Sequence, residues 1–150
     1  MDALDRKILA RLQQEGRISL TELAARVNLS LSSCQRRMRE LERSGVISGY
    51  VAVLDRERVD LPVEVLTFVE MRQEDRETLL AFEAAVIKID AVVQAQRLFG
   101  NPDYLLRLVV SSLNAYQEIE DDQLARLPGV LRLTSTIVMK QVLPVRGLPV

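Results

Sequence analysis

A connection of only three residues, Asn28-Leu29-Ser30, joins two amphipathic helical patterns and restricts how this chain can fold. Before it, apolar residues recur from Leu20 to Val27 at the i, i+3, i+4 and i+7 spacing of a helix. After it, Ser30 is the expected N-cap of the next helix, and Gly45 is expected to end that helix in a left-handed conformation. So short a connection forces a sharp angle between the two helices, which predicts a helix-turn-helix.

A third helix is predicted ahead of this pair. Asp2 can cap it, and it is expected to end near Gly16. The helix that starts after Ser19 is expected to carry a capping box, because Glu22 follows Ser19 by three residues. The three patterns together predict a helix-turn-helix domain over residues 1–50. The apolar residues that define the first helical face are Leu4, Ile8 and Leu12.

The helix after Ser30 has two unlike sides. Cys34, Met38 and Leu41 recur at i, i+4 and i+7 and form an apolar edge. The other side carries groups suited to the DNA major groove, since Arg can bond guanine and Gln can bond adenine bidentately. A buried role in packing is favoured for Cys34 over a redox role. The candidate DNA-binding residues are Ser32, Ser33, Gln35, Arg36, Arg37, Arg39 and Arg43.

The same arginines could instead form an ordinary solvated face. Glu40 and Glu42 lie three or four residues from several of them and offer ion-pair partners. Three observations favour DNA: the tight turn before the helix, the excess of arginine over glutamate, and the serines at its start. Charge is also asymmetric along the chain. Residues 1–50 carry nine Lys and Arg against six Asp and Glu, whereas the remainder carries eleven against fifteen.

Several functional classes are disfavoured by composition. The chain has no histidine and one cysteine, so a zinc site or a Cys–His nucleophile is not expected. No phosphate-binding glycine loop is present, and we predict neither a cofactor nor a metal. No apolar run is long enough for a membrane span, and the acidic start does not resemble a signal peptide. We expect a cytoplasmic protein that is not an enzyme.

The rest of the chain predicts an α+β domain. After an extended segment at 46–54 and a charged stretch ending in Pro62, we predict a linker over residues 51–62 and a second domain over 63–150. The element order is βαββαβ, which is typical of a ferredoxin-like sandwich. The predicted strands are 63–72, 91–99, 104–110 and 130–142, and the predicted helices are 75–89 and 113–127.

The predicted strands are apolar on both faces. In the first strand, Leu66 and Phe68 alternate with Val65 and Val69. An antiparallel sheet with one solvated face would alternate between apolar and polar residues. A second copy of the chain would cover the other face. A dimer would also give the helix-turn-helix the two-fold symmetry needed for two half-sites.

Motifs along nearly the whole chain resemble the Lrp/AsnC transcriptional regulators. The resemblance implies a winged-type helix-turn-helix, a ferredoxin-like domain that forms dimers and often octamers, and an effector that is usually an amino acid. The motifs are Leu-Asp-Arg-Lys-Ile-Leu at 4–9, Leu29-Ser30, Arg37, Leu-Glu-Arg-Ser-Gly-Val-Ile at 41–47, Gly100, Asp-Tyr-Leu-Leu at 103–106, Leu-Pro-Gly-Val at 127–130 and Ile-Val-Met-Lys at 137–140.

The resemblance also implies where an effector would bind, because family pockets lie between subunits beside the turn that contains Gly100. The turn departs from the family pattern at Asn101-Pro102, where acidic and aromatic residues are usual. That departure predicts either a different ligand or a silent site, and a simple turn-forming role is equally open for these two residues. Asp103 could bind an ammonium group or only cap the turn. The candidate effector-binding residues are Gly100, Asn101, Asp103, Thr136, Ile137 and Val138.

Three functions are therefore compared. The favoured one is a sequence-specific regulator that binds double-stranded DNA and responds to an amino acid or related molecule. The second is an architectural DNA-binding protein without an effector, which the Asn101-Pro102 departure motivates. The third is an enzyme similar to the sirohaem decarboxylases, whose architecture resembles this family. The absence of histidine and the basic helix argue against the third.

Overall fold

The computed structural model describes residues 1–143 and 146–150, which form two compact units. One unit contains Met1–Val53 together with Val142–Val150, and the other contains Leu54–Gln141. The sequence assigned residues 63–150 to the second domain, whereas the end of the chain groups with the first unit. Residues 144 and 145 of that predicted range lie outside the described residues. The domain boundaries stay a prediction.

The first unit contains three helices, α1 (Ala3–Gln14), α2 (Leu20–Arg26) and α3 (Leu31–Arg43). Their predicted N-caps are confirmed: the side chains of Asp2, Ser19 and Ser30 each accept a hydrogen bond from a backbone N–H of the first turn. Gly45, just beyond α3, has φ of +74°, the left-handed stop that was predicted.

Only half of the predicted capping box on α2 is present. Ser19 Oγ accepts from the Glu22 amide at 3.2 Å, but the Glu22 carboxylate pairs with Arg26 one turn later. The full box is found on α1, where the Asp5 carboxylate accepts a hydrogen bond from the amide of Asp2. Glu22 therefore pairs with Arg26 and does not form the second hydrogen bond of the capping box.

The core of this unit holds α3 by its apolar edge. Cys34 is inaccessible and Leu41 is buried, while Met38 is partly buried against the same cluster. Burial raises the pKa of the Cys34 thiol, as expected for a packing residue. The remaining buried members of this cluster are Ile8, Leu9, Leu23, Ala24 and Val27.

The end of the chain lies against α1. The Gln13 side chain donates from Nε2 to the Leu148 carbonyl at 3.0 Å, and its Oε1 accepts from the Leu148 amide. A Cβ on Gly147 would come within 2.5 Å of Gln13 Oε1, so glycine allows this close approach. The Gln13 amide thus forms with Leu148 the two hydrogen bonds that a neighbouring β-strand would form.

The second unit is the predicted ferredoxin-like fold. Its elements are β1 (Val63–Met71), α4 (Arg76–Val86), β2 (Val92–Arg97), β3 (Tyr104–Val110), α5 (Leu113–Asp122) and β4 (Val130–Ile137), with short 3-10 turns at Glu57–Val59 and Leu124–Arg126. The four antiparallel strands lie in the order β2-β3-β1-β4. Both helices cover one face of the sheet and bury a single core that includes Phe82, Val69 and Leu106.

Two elements end earlier than their apolar patterns predicted. The final strand was expected to reach residue 142 but ends at Ile137, which pairs with Val65 near the start of β1. Beyond it Met139 and Val142 are almost fully exposed. The helix expected to reach residue 127 ends at Asp122 and is followed by the 3-10 turn.

Candidate functional site

The outer face of α3 is the first candidate site, and five of its seven predicted residues are exposed. Helix α3 docks by Cys34 and Leu41, which turns the opposite side to solvent. Ser33 is partly buried, and its amide donates to the cap Ser30 at 3.2 Å. The exposed residues are Ser32, Gln35, Arg36, Arg39 and Arg43.

The arginines of this face differ in their partners. Arg43 donates to Glu40 from Nε at 3.1 Å and from a terminal nitrogen at 2.7 Å, and this contact lowers the pKa of the Glu40 carboxyl. Within the described chain, Arg36 and Arg39 have no carboxylate within ion-pair distance. These two cations are therefore free to bind an external anion.

Arg37 is placed unlike the others. Its side chain is only 18% exposed, and one guanidinium nitrogen lies 2.8 Å from Asp2 Oδ2 and 2.7 Å from Asp5 Oδ1. Both pairs cross from α3 to the first turn of α1. These bonds raise the pKa of Arg37, with Asp5 the larger cause. The sequence offered Arg37 to DNA, whereas the structure binds it within the unit.

The segment after α3 is also fixed to that helix. Tyr50 donates its hydroxyl hydrogen to Glu42 Oε1 at 3.0 Å. Partial burial, with Glu42 as a second cause, raises the pKa of Tyr50. Val51 and Val53, further along the segment, are 90% and 95% exposed. The structure assigns neither helix nor strand to residues 46–54, so the extended conformation expected there stays a prediction.

The second candidate site is a cavity of about 770 Å³ at one end of the sheet. Three of the six predicted effector residues, Gly100, Asn101 and Asp103, line it. Gly100 has φ of +124°, a conformation that favours glycine. The remaining lining residues were not predicted from the sequence. They are Glu70, Met71, Glu74, Leu79, Arg97, Leu98, Phe99 and Leu131.

Hydrogen bonds at Asp103 fix this wall of the cavity. Its carboxylate accepts from the Met71 amide at 2.6 Å, its amide donates to Val69 O at 2.9 Å, and its carbonyl accepts from the Leu98 amide at 2.7 Å. Asp103 thus joins the β2–β3 turn to the end of β1. The bond from Met71 occupies one of about four acceptor sites on the carboxylate, so Asp103 caps the turn and keeps acceptor capacity for a ligand.

The other three predicted effector residues lie elsewhere on the same chain. Thr136 pairs with Leu66, Ile137 pairs with Val65, and the amide of Val138 donates to Glu64 O at 2.9 Å. The cavity lies at the opposite end of β1, six residues away, which is roughly 20 Å along a strand. A single chain therefore does not bring the two halves of the predicted set together.

The cavity combines both charge signs with apolar walls. Glu70 and Glu74 supply carboxylates, Arg97 supplies a guanidinium, and Met71, Leu79 and Leu131 are apolar. The nearest ion pairs are loose, since Arg97 lies 3.9 Å from Glu83 and Arg132 lies 3.9 Å from Glu70. The signal that could have located some of them is their position at strand ends, since Arg97 ends β2 just before Gly100, and Glu70 and Met71 end β1.

The face of the sheet away from the helices is open. Leu66, Phe68 and Leu105 lie on it and are half-buried. Beside them the buried carboxylate of Glu64 is held between Arg107 at 2.5 Å and Arg56 at 2.6 Å. None of the helices in the described residues is long and apolar enough to cross a membrane.

Comparison with known proteins identifies both units. Residues 1–48 match a family model described as winged helix-turn-helix DNA-binding, and residues 64–148 match the Lrp/AsnC ligand binding domain. The leucine-responsive regulatory protein of Salmonella typhimurium is 37% identical over 142 residues, which cover 95% of this chain and 87% of that protein.

Two solved structures share the whole fold. A transcriptional regulator from Neisseria meningitidis, solved as a complex with L-methionine, is 34% identical with a TM-score of 0.94 and covers 99% of this chain and 96% of its own. An AsnC family transcriptional regulator from Agrobacterium tumefaciens is 35% identical with a TM-score of 0.93, covering 99% and 97%. These relatives are regulators and not enzymes. The chain belongs to the Lrp/AsnC family of DNA-binding transcriptional regulators.

Proposed function

We propose that this regulator reads DNA with the exposed face of α3, with Arg36 and Arg39 as its principal cations. The supporting observation is that these two arginines are exposed and lack a carboxylate partner within the described residues. An unpaired guanidinium can bind phosphate or guanine without first breaking an ion pair. Arg43 would have to leave Glu40, so its contribution is smaller. The other proposed contacts are Ser32, Ser33 and Gln35.

Salt dependence tests this reading face. A duplex selected by genome-wide pull-down serves as the specific probe, and its scrambled sequence serves as the non-specific one. Removing an arginine that binds one phosphate should reduce the slope of log affinity against log salt by about 0.9. We expect such a reduction, or a loss of preference for the selected duplex, in Arg36→Ala and Arg39→Ala.

The matched control is Arg126→Ala, which removes the same charge from the other unit, where Arg126 pairs with Asp122 at 2.9 Å. Its slope and its specificity ratio should equal those of the wild type. Unchanged affinity in both α3 variants would mean that α3 does not read DNA through these arginines.

For the effector we propose an α-amino acid with an apolar side chain, and methionine first. The cavity beside Gly100 contains carboxylates for an ammonium, the Arg97 guanidinium for a carboxylate, and the apolar walls of Met71 and Leu131. The Neisseria meningitidis relative supports this choice, because it was solved with L-methionine. Calorimetry with methionine, leucine and asparagine tests it, with methioninamide as a probe for the carboxylate contact.

The effector-insensitive alternative also has an observation in its favour. Asp103, the acidic residue of the turn, already accepts from the Met71 amide. If none of the twenty amino acids binds saturably, this alternative holds. If one binds and changes DNA affinity, DNA must change affinity for it by the same factor, and the alternative fails.

We further propose that the open sheet face forms a homodimer, with octamers as the larger assembly that the resemblance implies. Leu66, Phe68 and Leu105 supply half-buried apolar surface for a second copy. Assembly would also explain the divided effector set, since Thr136 to Val138 could complete a cavity in another copy. We place the protein in the cytoplasm of its cell because its partner is DNA.

A further inference from the structure

We infer that Arg37 is a positioning residue for DNA recognition, which together with Asp2 and Asp5 sets the orientation of α3 on its unit. This inference rests on the proposed use of α3 to read DNA. Arginine on a reading helix usually binds DNA directly, whereas in this role Arg37 would not touch the nucleic acid. Asp2 and Asp5 would contribute to sequence specificity even though their negative charges repel DNA.

The two carboxylates divide their oxygens between α1 and α3. Asp2 Oδ1 accepts from the amides of Leu4 and Asp5, while its Oδ2 binds Arg37. Asp5 Oδ2 accepts from the amide of Asp2, while its Oδ1 binds Arg37. Each carboxylate therefore caps α1 with one oxygen and holds α3 with the other. The start of α1 and the middle of α3 are joined through the same two groups.

The ion pair between Asp5 and Arg37 is largely buried. The side chains of Asp5 and Arg37 are only 15% and 18% exposed, while that of Asp2 is 54% exposed. Arg37 Nε is buried and has no hydrogen-bond partner within the described residues. Turning the guanidinium outward would break both ion pairs and leave the Asp5 carboxylate poorly hydrated. Arg37 is therefore held in place more strongly than Arg36 or Arg39 on the same helix.

The position of Arg37 within α3 connects it to the reading face. It lies one residue from Arg36 and two residues from Arg39, on the side of the helix that faces α1. The apolar edge formed by Cys34 and Leu41 fixes how deeply α3 packs. A lateral ion pair next to that edge resists rotation about the helix axis. Such a rotation would redirect every side chain on the reading face together.

The sign of a carboxylate substitution gives a sharp test. Asp5→Asn removes a negative charge near a polyanion, so simple electrostatics predicts tighter DNA binding. Positioning predicts the reverse for the selected duplex. We expect roughly tenfold weaker specific binding, about 1.4 kcal/mol, with scrambled-duplex binding unchanged or slightly tighter. Asparagine retains a carbonyl oxygen for the α1 cap, which limits any effect on folding.

Glu15→Gln is the matched control. Glu15 also forms an interhelical pair, with Arg26 at 3.0 Å, and within the described residues it forms no ion pair with α3. It should bind both duplexes as tightly as the wild type or more tightly. If Asp5→Asn behaves like Glu15→Gln, the positioning role is refuted.

Arginine variants separate positioning from contact. Arg37→Ala should lose specificity to a similar extent as Asp5→Asn while the salt slope stays that of the wild type. If instead its slope falls by about 0.9, as expected for a phosphate-contacting residue, Arg37 touches DNA and the inference is wrong. Arg37→Lys keeps a positive charge for the two carboxylates but lacks the length and planar shape of the guanidinium, so it should recover part of the specificity. Specificity no better than that of Arg37→Ala would refute a role for the two ion pairs.

Circular dichroism and thermal unfolding exclude a folding defect, which would lower the apparent affinity for both duplexes equally. If Asp5→Asn proves unfolded, the intermediate specificity of Arg37→Lys decides the question. The reading face itself is tested by Arg36→Ala and Arg39→Ala. Unchanged DNA binding in those two would refute the proposed function whatever the Asp5 result is.

Discussion

Gly129 lies against Thr78, so closely that a Cβ at position 129 would collide with the Thr78 methyl group and come within 2.9 Å of Met71 Cε. Gly129 follows Pro128 in the turn that leads into β4, and its φ is +74°. Thr78 is in the first turn of α4, where its amide donates to the N-cap Asp75 at 3.0 Å. Glycine therefore allows the turn before β4 to pack on the start of α4.

Gly129→Ala should destabilise the protein by more than backbone strain alone would. Gly45 provides a matched control, because its φ is also +74° and a Cβ there would meet nothing within 4 Å. Gly45→Ala should cost about 1 kcal/mol from the left-handed backbone conformation. Gly129→Ala should cost about 2 kcal/mol or more, because overpacking adds to the strain. Urea unfolding measures both; equal losses would contradict the close approach to Thr78.

Removing Arg107 should destabilise the protein, because the buried Glu64 carboxylate would lose one of its two cations. Glu64 is 7% exposed and is held by Arg107 and Arg56. Arg107→Ala should therefore lower the free energy of unfolding by about 3 kcal/mol. Arg132→Ala, which loses a looser and more exposed pair with Glu70, should cost less than about 1 kcal/mol. Comparable losses in urea titrations would show that Glu64 is well solvated.

Stability should fall at high pH because of Tyr104. Burial and its hydrogen bond to Glu83 at 2.9 Å raise the pKa of Tyr104 from 10.0 to about 12. The unfolded state ionises first, so this contribution is complete below pH 10 and is lost as pH rises toward 12. Denaturant unfolding at several pH values should show this loss. In Tyr104→Phe the decline should be smaller; an equal decline would assign it to other groups.

Phe68→Glu should convert a dimer into a monomer if the open sheet face is the interface. Phe68 is half-buried there, opposite Leu105 in the β1–β3 register. A carboxylate in an apolar interface would be desolvated without a partner, which is unfavourable. Leu80→Glu is the control, since Leu80 is 54% exposed on α4 and lies outside that face. Sedimentation velocity distinguishes the outcomes: a monomeric Leu80→Glu, or a dimeric Phe68→Glu, would place the interface elsewhere.

The sequence predicted the fold well because local signals and burial agree. Ser30, Cys34 and Gly45 each mark α3 through chemistry that depends on near neighbours. The exact bounds of β3, Tyr104–Val110, follow from an apolar run enclosed by turn residues. The family resemblance and the ferredoxin-like order are confirmed by the comparisons.

The sequence could not predict which partner each exposed charge selects. A helical period shows that Arg37 lies beside the reading face, but Asp2, 35 residues earlier, is what binds it. The two halves of the effector set were predicted by position in the family, and register alone reveals that they lie at opposite ends of β1. The cavity charges at Glu70 and Arg97 depend on strand ends, which periodicity defines least well.

The contact between Gln13 and Leu148 joins residues 135 positions apart. During synthesis at roughly 5–20 residues per second, Gln13 leaves the ribosome about 7–27 s before Leu148 does. The three helices around Ile8 and Leu23 can pack in that interval, but the contact of α1 with the tail forms only after Leu148 has been synthesised. The unit whose helices are made first is therefore also the unit completed last, and a ribosome that stops short of Gly147 releases a helix-turn-helix without its closing tail.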